Sequence, residues 1–209
     1  LQEMTSDKDG IASCTLDLPL GQYYVKEIEA PKGYVLNEEI FALDASYQGD
    51  DVKVIELEAT FANYPTKLEI SKTDITGEYE LKGATLSIID KDGNVVETWK
   101  SDGETHYIER IPVGEYILRE EAAPYGYKIA NEVKFTVENT KEIQKVSMKD
   151  ELVSGKIIIE KTDEVTGKGI AGVEFEIRDK DGKVIETLVT DKNGHAESKE
   201  LPIAVFKDG

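Results

Sequence analysis

Three ionisable side chains sit at odds with the strand patterns around them. Side chains alternate along a β-strand, so residues of one parity share a face. In Leu68-Glu69-Ile70-Ser71-Lys72 the two apolar residues share parity with Lys72. In Tyr116-Ile117-Leu118-Arg119-Glu120 they share it with Glu120, and in Val146-Ser147-Met148-Lys149-Asp150 with Asp150. The pattern predicts one amine and two carboxylic acids at the ends of three strands, all directed inward. Burying an unpaired charge costs on the order of several kcal/mol, so such groups must pair, neutralise or react.

The reaction open to this trio is an amide bond between Lys72 and Asp150. The amine must be neutral to attack, and a low-dielectric site favours the neutral form. The carbonyl must be polarised and its leaving oxygen protonated, and a buried acid at Glu120 is suited to carry that proton. Folding places the reactants in contact and removes the entropy cost of bringing them together. Such a reaction runs once per molecule and releases water. The unreacted alternative is a buried Lys-Glu-Asp ion cluster.

Parts of the trio recur elsewhere. Tyr23, Val25 and Glu27 repeat the Glu strand. Leu57, Ala59, Phe61 and Asn63 repeat the closing strand with an amide in place of the acid, so that ammonia would leave instead of water. Ile157, Ile159 and Lys161 repeat the Lys strand.

An internal repeat positions these residues. The stretch from Gly21 to Tyr34, which includes Ala30-Pro31-Lys32-Gly33-Tyr34, recurs from Gly114 to Tyr127, 93 residues on. Leu68-Glu69-Ile70-Ser71-Lys72-Thr73-Asp74 recurs as Ile157-Ile158-Ile159-Glu160-Lys161-Thr162-Asp163, 89 residues on, and Gly83-Ala84 pairs with Gly172-Val173. The unit is about ninety residues long. The expected domains are 1–64, the back half of a unit; 65–152, a whole unit; and 153–209, the front half of a third. With Leu1 as first residue and half-units at both ends, the chain reads as a piece of a longer protein.

Each unit reads as β throughout. Short alternating runs such as Thr85–Ile89 and Val133–Val137 are bounded by Asp92-Gly93, Asp102-Gly103, Asp181-Gly182 and Asn193-Gly194, which suit tight hairpins. About seven short strands per unit suggest an antiparallel sandwich of immunoglobulin-like size. The Asp-Lys-Asp-Gly turns at Asp7, Asp90 and Asp179 resemble the middle of an EF-hand loop. The flanking ligand positions hold Thr5, Ile88 and Ile177 on one side and Leu16, Trp99 and Leu188 on the other, so the calcium template fails.

Composition removes other functions. Of 209 residues, 43 are acidic and 25 basic, a net charge of −18 that repels nucleic acid and anionic membranes. No apolar run is long enough to span a bilayer. Cys14, the single cysteine, is expected to be a small packed hydrophobe in a strand. With only His106 and His195 besides, a zinc site or a Cys-His nucleophile has too few ligands or partners, and no cofactor is implied.

The Lys-Thr-Asp strand, the Gly-Ala motif, the Tyr-x-Leu-x-Glu-x-x-Ala-Pro-x-Gly-Tyr box (116–127) and the closing Met-Lys-Asp-Glu (148–151) resemble the Cna B-type, or SpaA-type prealbumin-like, domains of Gram-positive surface proteins and pilins. The resemblance covers essentially the whole chain. It implies tandem reversed immunoglobulin-like sandwiches carrying a spontaneous isopeptide bond, with Lys72 as nucleophile, Asp150 as acceptor and Glu120 as catalytic acid. By the same motifs, Glu27 and Asn63 are the catalyst and acceptor of the first unit and Lys161 the nucleophile of the third. The third unit departs from the pattern after Leu201-Pro202, where Ile203–Gly209 replaces the expected Gly-x-Tyr.

The expected function is a structural stalk repeat of an extracellular, cell-wall-anchored adhesin, with no turnover of substrate. Its partners would be neighbouring repeats and, through a tip domain elsewhere, a host ligand. A sortase-assembled pilus subunit is the alternative, although Asn63-Tyr64-Pro65-Thr66-Lys67 reads as an interdomain joint rather than a pilin motif. A surface glycan-binding module would use Trp99, Tyr125 and Tyr127. A glycosidase built on Glu120 and Asp150 is disfavoured, because both face a core rather than a cleft.

Overall fold

The computed structural model describes residues 2–202, and those residues form strands, turns and coil with no helix. The chain divides into two compact units. One holds the chain up to Lys67 with Glu109–Val113 and Glu138–Ile143; the other holds the remainder.

In the first unit, β1 (Gly21–Lys26) pairs antiparallel with β2 (Ile40–Ala45), with Tyr23 opposite Leu43 and Val25 opposite Phe41. The Phe41 and Phe61 rings meet edge to face at 4.7 Å. Two expectations fail here. Cys14 is exposed and lies in coil, its thiol directed to Gln2 Oε1 at 3.3 Å. Leu57–Asn63 keeps its in-out alternation but forms no ladder. Alternation is a property of one segment, whereas a strand needs a neighbour to accept its hydrogen bonds.

In the second unit, seven strands run from β3 to β9. They are β3 (Lys67–Asp74), β4 (Lys82–Asp90), β5 (Val95–Asp102), β6 (His106–Glu109), β7 (Gly114–Ala122), β8 (Val133–Val137) and β9 (Ile143–Asp150). They form a four-stranded antiparallel sheet in the order β5-β4-β7-β8 and a three-stranded sheet in the order β6-β3-β9. The period-2 pattern buries Leu68 and Ile70 from β3, Leu86 and Ile88 from β4, Leu118 from β7, Val137 from β8 and Met148 from β9. Each such side chain contributes roughly 1.5–3 kcal/mol when fully buried. The register sets Ile88 opposite Leu118 and Leu86 opposite Glu120. The first and last of these strands, β3 and β9, are neighbours in one sheet, and β7 lies in the other.

The rest of this unit contains β10 (Ser154–Gly155), β11 (Ile158–Glu160), β12 (Glu174–Arg178), β13 (Val184–Val189), β14 (His195–Glu197) and β15 (Leu201–Pro202). They pair as β10-β15, β11-β14 and β12-β13 around a small core of Ile177, Leu188 and Ala196. The departure expected at 203–209 lies outside the described residues.

The Asp-Lys-Asp-Gly turns at Asp90 and Asp179 are hairpin corners, while the one at Asp7 is a turn between coil segments. Asp90 Oδ1 accepts from the N–H groups of Asp92 and Asn94 at 2.9 and 2.8 Å, while Gly93 N donates to Asp90 O at 3.0 Å. Asp7 and Asp179 repeat this bonding. Asp191, in a fourth corner, does the same for Asn193 and His195. The leading carboxylate in each corner is engaged with backbone donors, as in an Asx turn.

Candidate functional site

Lys72, Glu120 and Asp150 meet inside the β3–β9 sandwich. Their relative exposures are 2%, 4% and 1%. Lys72 is the third inward residue of β3 after Leu68 and Ile70, and Glu120 the third of β7 after Tyr116 and Leu118. Asp150 closes β9, two residues past buried Met148. Because β3 and β9 are adjacent, the amine and Asp150 share one sheet, while Glu120 approaches from the facing sheet.

Lys72 Nζ donates to Asp150 Oδ1 in a very short contact and lies 2.9 Å from Glu120 Oε1. Glu120 Oε2 accepts from Ala130 N at 2.7 Å. Glu120 Oε1 has no well-directed hydrogen bond despite its closeness to the amine, and Asp150 Oδ2 has none. Two acids thus face one amine in a dry site, and full ionisation would leave a net negative charge buried. Asp150 is raised to about 6, chiefly by burial, with Lys72 pulling it down and Glu120 adding to the rise. The arrangement sets an amine against one oxygen of a buried carboxyl group whose second oxygen, Asp150 Oδ2, has no hydrogen-bond partner. A buried ion pair of this kind is weak support for stability on its own, because desolvation offsets much of the attraction.

Glu27 and Asn63 also come together. Asn63 Nδ2 donates to Glu27 Oε1 and Oε2 at 3.0 and 2.8 Å and to Val35 O at 3.0 Å. Glu27 Oε2 accepts from Asn37 N at 2.6 Å, the counterpart of the Ala130 contact. Both residues are half-buried. Lys161, just past β11, is half-buried, and among the described residues its ammonium makes no ion pair.

The other candidate groups lie elsewhere. His106 stacks on Trp99 with ring centroids 4.2 Å apart and meets Glu97 at 2.7 Å, and His195 meets Glu160 at 2.7 Å. Tyr125 is 80% exposed, whereas Tyr127 is half-buried and bridges to Leu152 through its backbone. Among the described residues no group of three or more His, Cys, Asp or Glu is placed to hold a metal ion, and no helix is long and apolar enough to cross a membrane.

One part of the site is invisible to side-chain patterning. The loop after Glu120 pairs with the residues just after Asp150: Lys128 N to Glu151 O and Val153 N to Gly126 O, both 2.8 Å. In the first unit Val35 N bonds Tyr64 O at 2.8 Å and Thr66 N bonds Gly33 O at 3.0 Å. The recurring Pro-x-Gly-Tyr was its signal in the sequence.

Comparison with known proteins agrees with this architecture. The SpaA family, described as a prealbumin-like fold domain, matches residues 1–58, 66–152 and 155–207. The chain belongs to that family, and its fold is the all-β prealbumin-like sandwich. Among solved structures, the Bacillus anthracis TIE protein is 30% identical, with a TM-score of 0.59 over 96% of this chain and 38% of that one. A streptococcal ancillary pilin is 17% identical over 88% of this chain and 64% of its own, with a TM-score of 0.40. The minor pilin GBS52 of Streptococcus agalactiae is 20% identical over 72% of this chain and 67% of its own, with a TM-score of 0.38. The chain therefore spans less than two thirds of the first two of these structures. No curated protein matches it.

Proposed function

We propose that this chain is a structural segment of a Gram-positive surface protein, made of SpaA-type modules at 1–64, 65–152 and 153–209. In this reading the middle module is closed by an amide between Lys72 and Asp150. The contact of Lys72 Nζ with Asp150, inside a shell that also holds Glu120, carries the proposal.

The step balances as a condensation. Lys72 Nζ attacks Asp150 Cγ, a C–N bond forms and one C–O bond breaks. The departing oxygen leaves as water with two protons, one from the attacking amine and one from the acid pair. Glu120 is the proton carrier between nitrogen and oxygen, and Ala130 N holds its other oxygen in place. Contact geometry replaces the encounter step, which is why no cofactor is required. In the first module Glu27 and Asn63 take the corresponding roles, with ammonia as leaving group; in the third, Lys161 is the nucleophile.

An amide joining the first and last strands of a sandwich suits an extracellular, wall-attached stalk that carries tension without disulfides. Its partners are the adjacent modules of the same protein. The net charge of −18 keeps such a segment soluble and repels it from anionic surfaces. The deciding experiment is the intact mass of the denatured chain beside a Lys72→Ala control. A deficit of one water in the parent alone is expected; full mass in the parent would reduce the trio to a buried ion cluster.

A further inference from the structure

We propose that the Pro-x-Gly-Tyr loop is a clip that positions the acceptor for bond formation, with Gly126, Lys128 and Ala130 as positioning residues. This rests on the reading of Lys72 and Asp150 as an amide-forming pair. Asp150 is the last residue of β9, and β9 is an edge strand in the order β6-β3-β9. The end of an edge strand is where a ladder opens most readily. Yet the carboxyl group must stay against Lys72 long enough to react, and a misplacement of about 1 Å can cost on the order of 100-fold in rate.

The loop removes that freedom. Tyr127 N donates to Pro124 O at 3.0 Å, closing a turn that requires the positive φ of Gly126 (84°). The turn presents Gly126 O to Val153 N and Lys128 N to Glu151 O, so a short antiparallel bridge, Tyr127 to Leu152, begins directly after Asp150. Two residues beyond Lys128, Ala130 N holds Glu120. One loop therefore fixes the acceptor's backbone and the acid's carboxylate together.

The same construction occurs a second time. Tyr34 N bonds Pro31 O at 3.0 Å, Gly33 has φ 82°, Tyr34 bridges Pro65 directly after Asn63, and Asn37 N holds Glu27. Among the described residues, the Asp-Lys-Asp-Gly corners make no such double connection. Its recurrence at two acceptors ties it to the acceptor rather than to chain reversal.

Two measurements test the clip. Lys128→Pro and Val153→Pro each delete one of its N–H donors, and Lys128→Ala keeps the donor while losing the side chain. After refolding from denaturant, both proline variants are expected to lose water about 10- to 100-fold more slowly than the parent by timed intact mass, with the alanine variant at the parent rate. Proline variants that regain the parent's near-ultraviolet circular dichroism and bond at the parent rate would overturn the proposal. Amide hydrogen exchange in the unbondable Lys72→Ala chain decides independently of proline tolerance. Lys128 and Val153 should be protected as well as the amides of β9, and free exchange at both would overturn the clip. A parent that keeps its full mass would sink the amide reading itself, while the exchange result would still report whether the clip holds the end of β9.

Discussion

Replacing Glu120 by Gln keeps the shape of the site but, on the proposed reading, removes its proton carrier. The expected outcome is bond formation slowed by about 100-fold or more, read as the time course of water loss after refolding. The pH dependence follows from the protons the site must hold. The reactive arrangement needs a proton for the leaving oxygen, and the buried Asp150, raised to about 6, surrenders its proton as pH rises through that value. Bond formation should therefore be faster at pH 5.5 than at pH 8; the reverse order would contradict the assigned acid role. Stability of the unbonded Lys72→Ala chain has the same sign. Burial there is no longer opposed by the ammonium, so Asp150 stays raised. Its stabilising protonation is fully present below the usual carboxylate value and is lost as pH climbs through the folded value. Thermal melting should show a higher midpoint at pH 5 than at pH 8. In a bonded parent Asp150 no longer titrates, and this contribution should vanish.

At the scale of the elements, period-2 alternation in five-residue stretches was enough to direct Lys72, Glu120 and Asp150 inward, because facing is a local property of an extended chain. Their closeness depends instead on strand order, with β3 beside β9 and β7 across the core, which alternation does not encode. The same locality explains the failures. Cys14-Leu16-Leu18 and Leu57–Asn63 alternate as strands do but lack a ladder. The recurring Pro-x-Gly-Tyr marks the loop behind Asp150 in the sequence, but its pairing is not encoded in side-chain alternation because it works through backbone N–H and C=O groups, which every residue has. The sandwich itself rests on close packing, so Leu118→Ala, at a fully buried position in β7, should destabilise the middle module by about 2–5 kcal/mol. Denaturant titration in the Lys72→Ala background checks this, and a loss under 1 kcal/mol would mean the core had closed over the cavity. In the β4–β5 corner, Asp90→Asn should preserve melting temperature better than Asp90→Ala, since Asn retains the oxygen that accepts from Asp92 and Asn94. Added calcium should shift neither.

Across the whole molecule the proposed bond would change how tension travels. Lys72 and Asp150 stand 78 residues apart in the chain, a segment that would extend by roughly 270 Å at about 3.3–3.6 Å per residue if the middle module gave way. Single-molecule stretching of the parent should lack that step, and Lys72→Ala should show it. By the loop-entropy model, the closed chain also gains about 4–5 kcal/mol over the open one, if amide cross-links behave as disulfides do. The repeat was legible because its strands, turns and boxes recur 89 to 93 residues apart, and the family because those boxes resemble the family's own. The separation of contacts into one unit up to Lys67 with two inserted loops, and another unit for the rest, had no such marker.

The neighbouring placement of β3 and β9 has a consequence for damage. If Lys72 is joined to Asp150 as proposed, the middle module becomes a covalent ring from which two tails emerge, rather than a simple thread. A protease that cut within the ring, at an exposed corner such as Asp92-Gly93, would then open it without parting it. Both pieces would stay linked through the side chains, and the tails would remain tied to one another. A single cut severs a thread, whereas the same cut in the proposed ring would leave a branched polypeptide still joined from end to end.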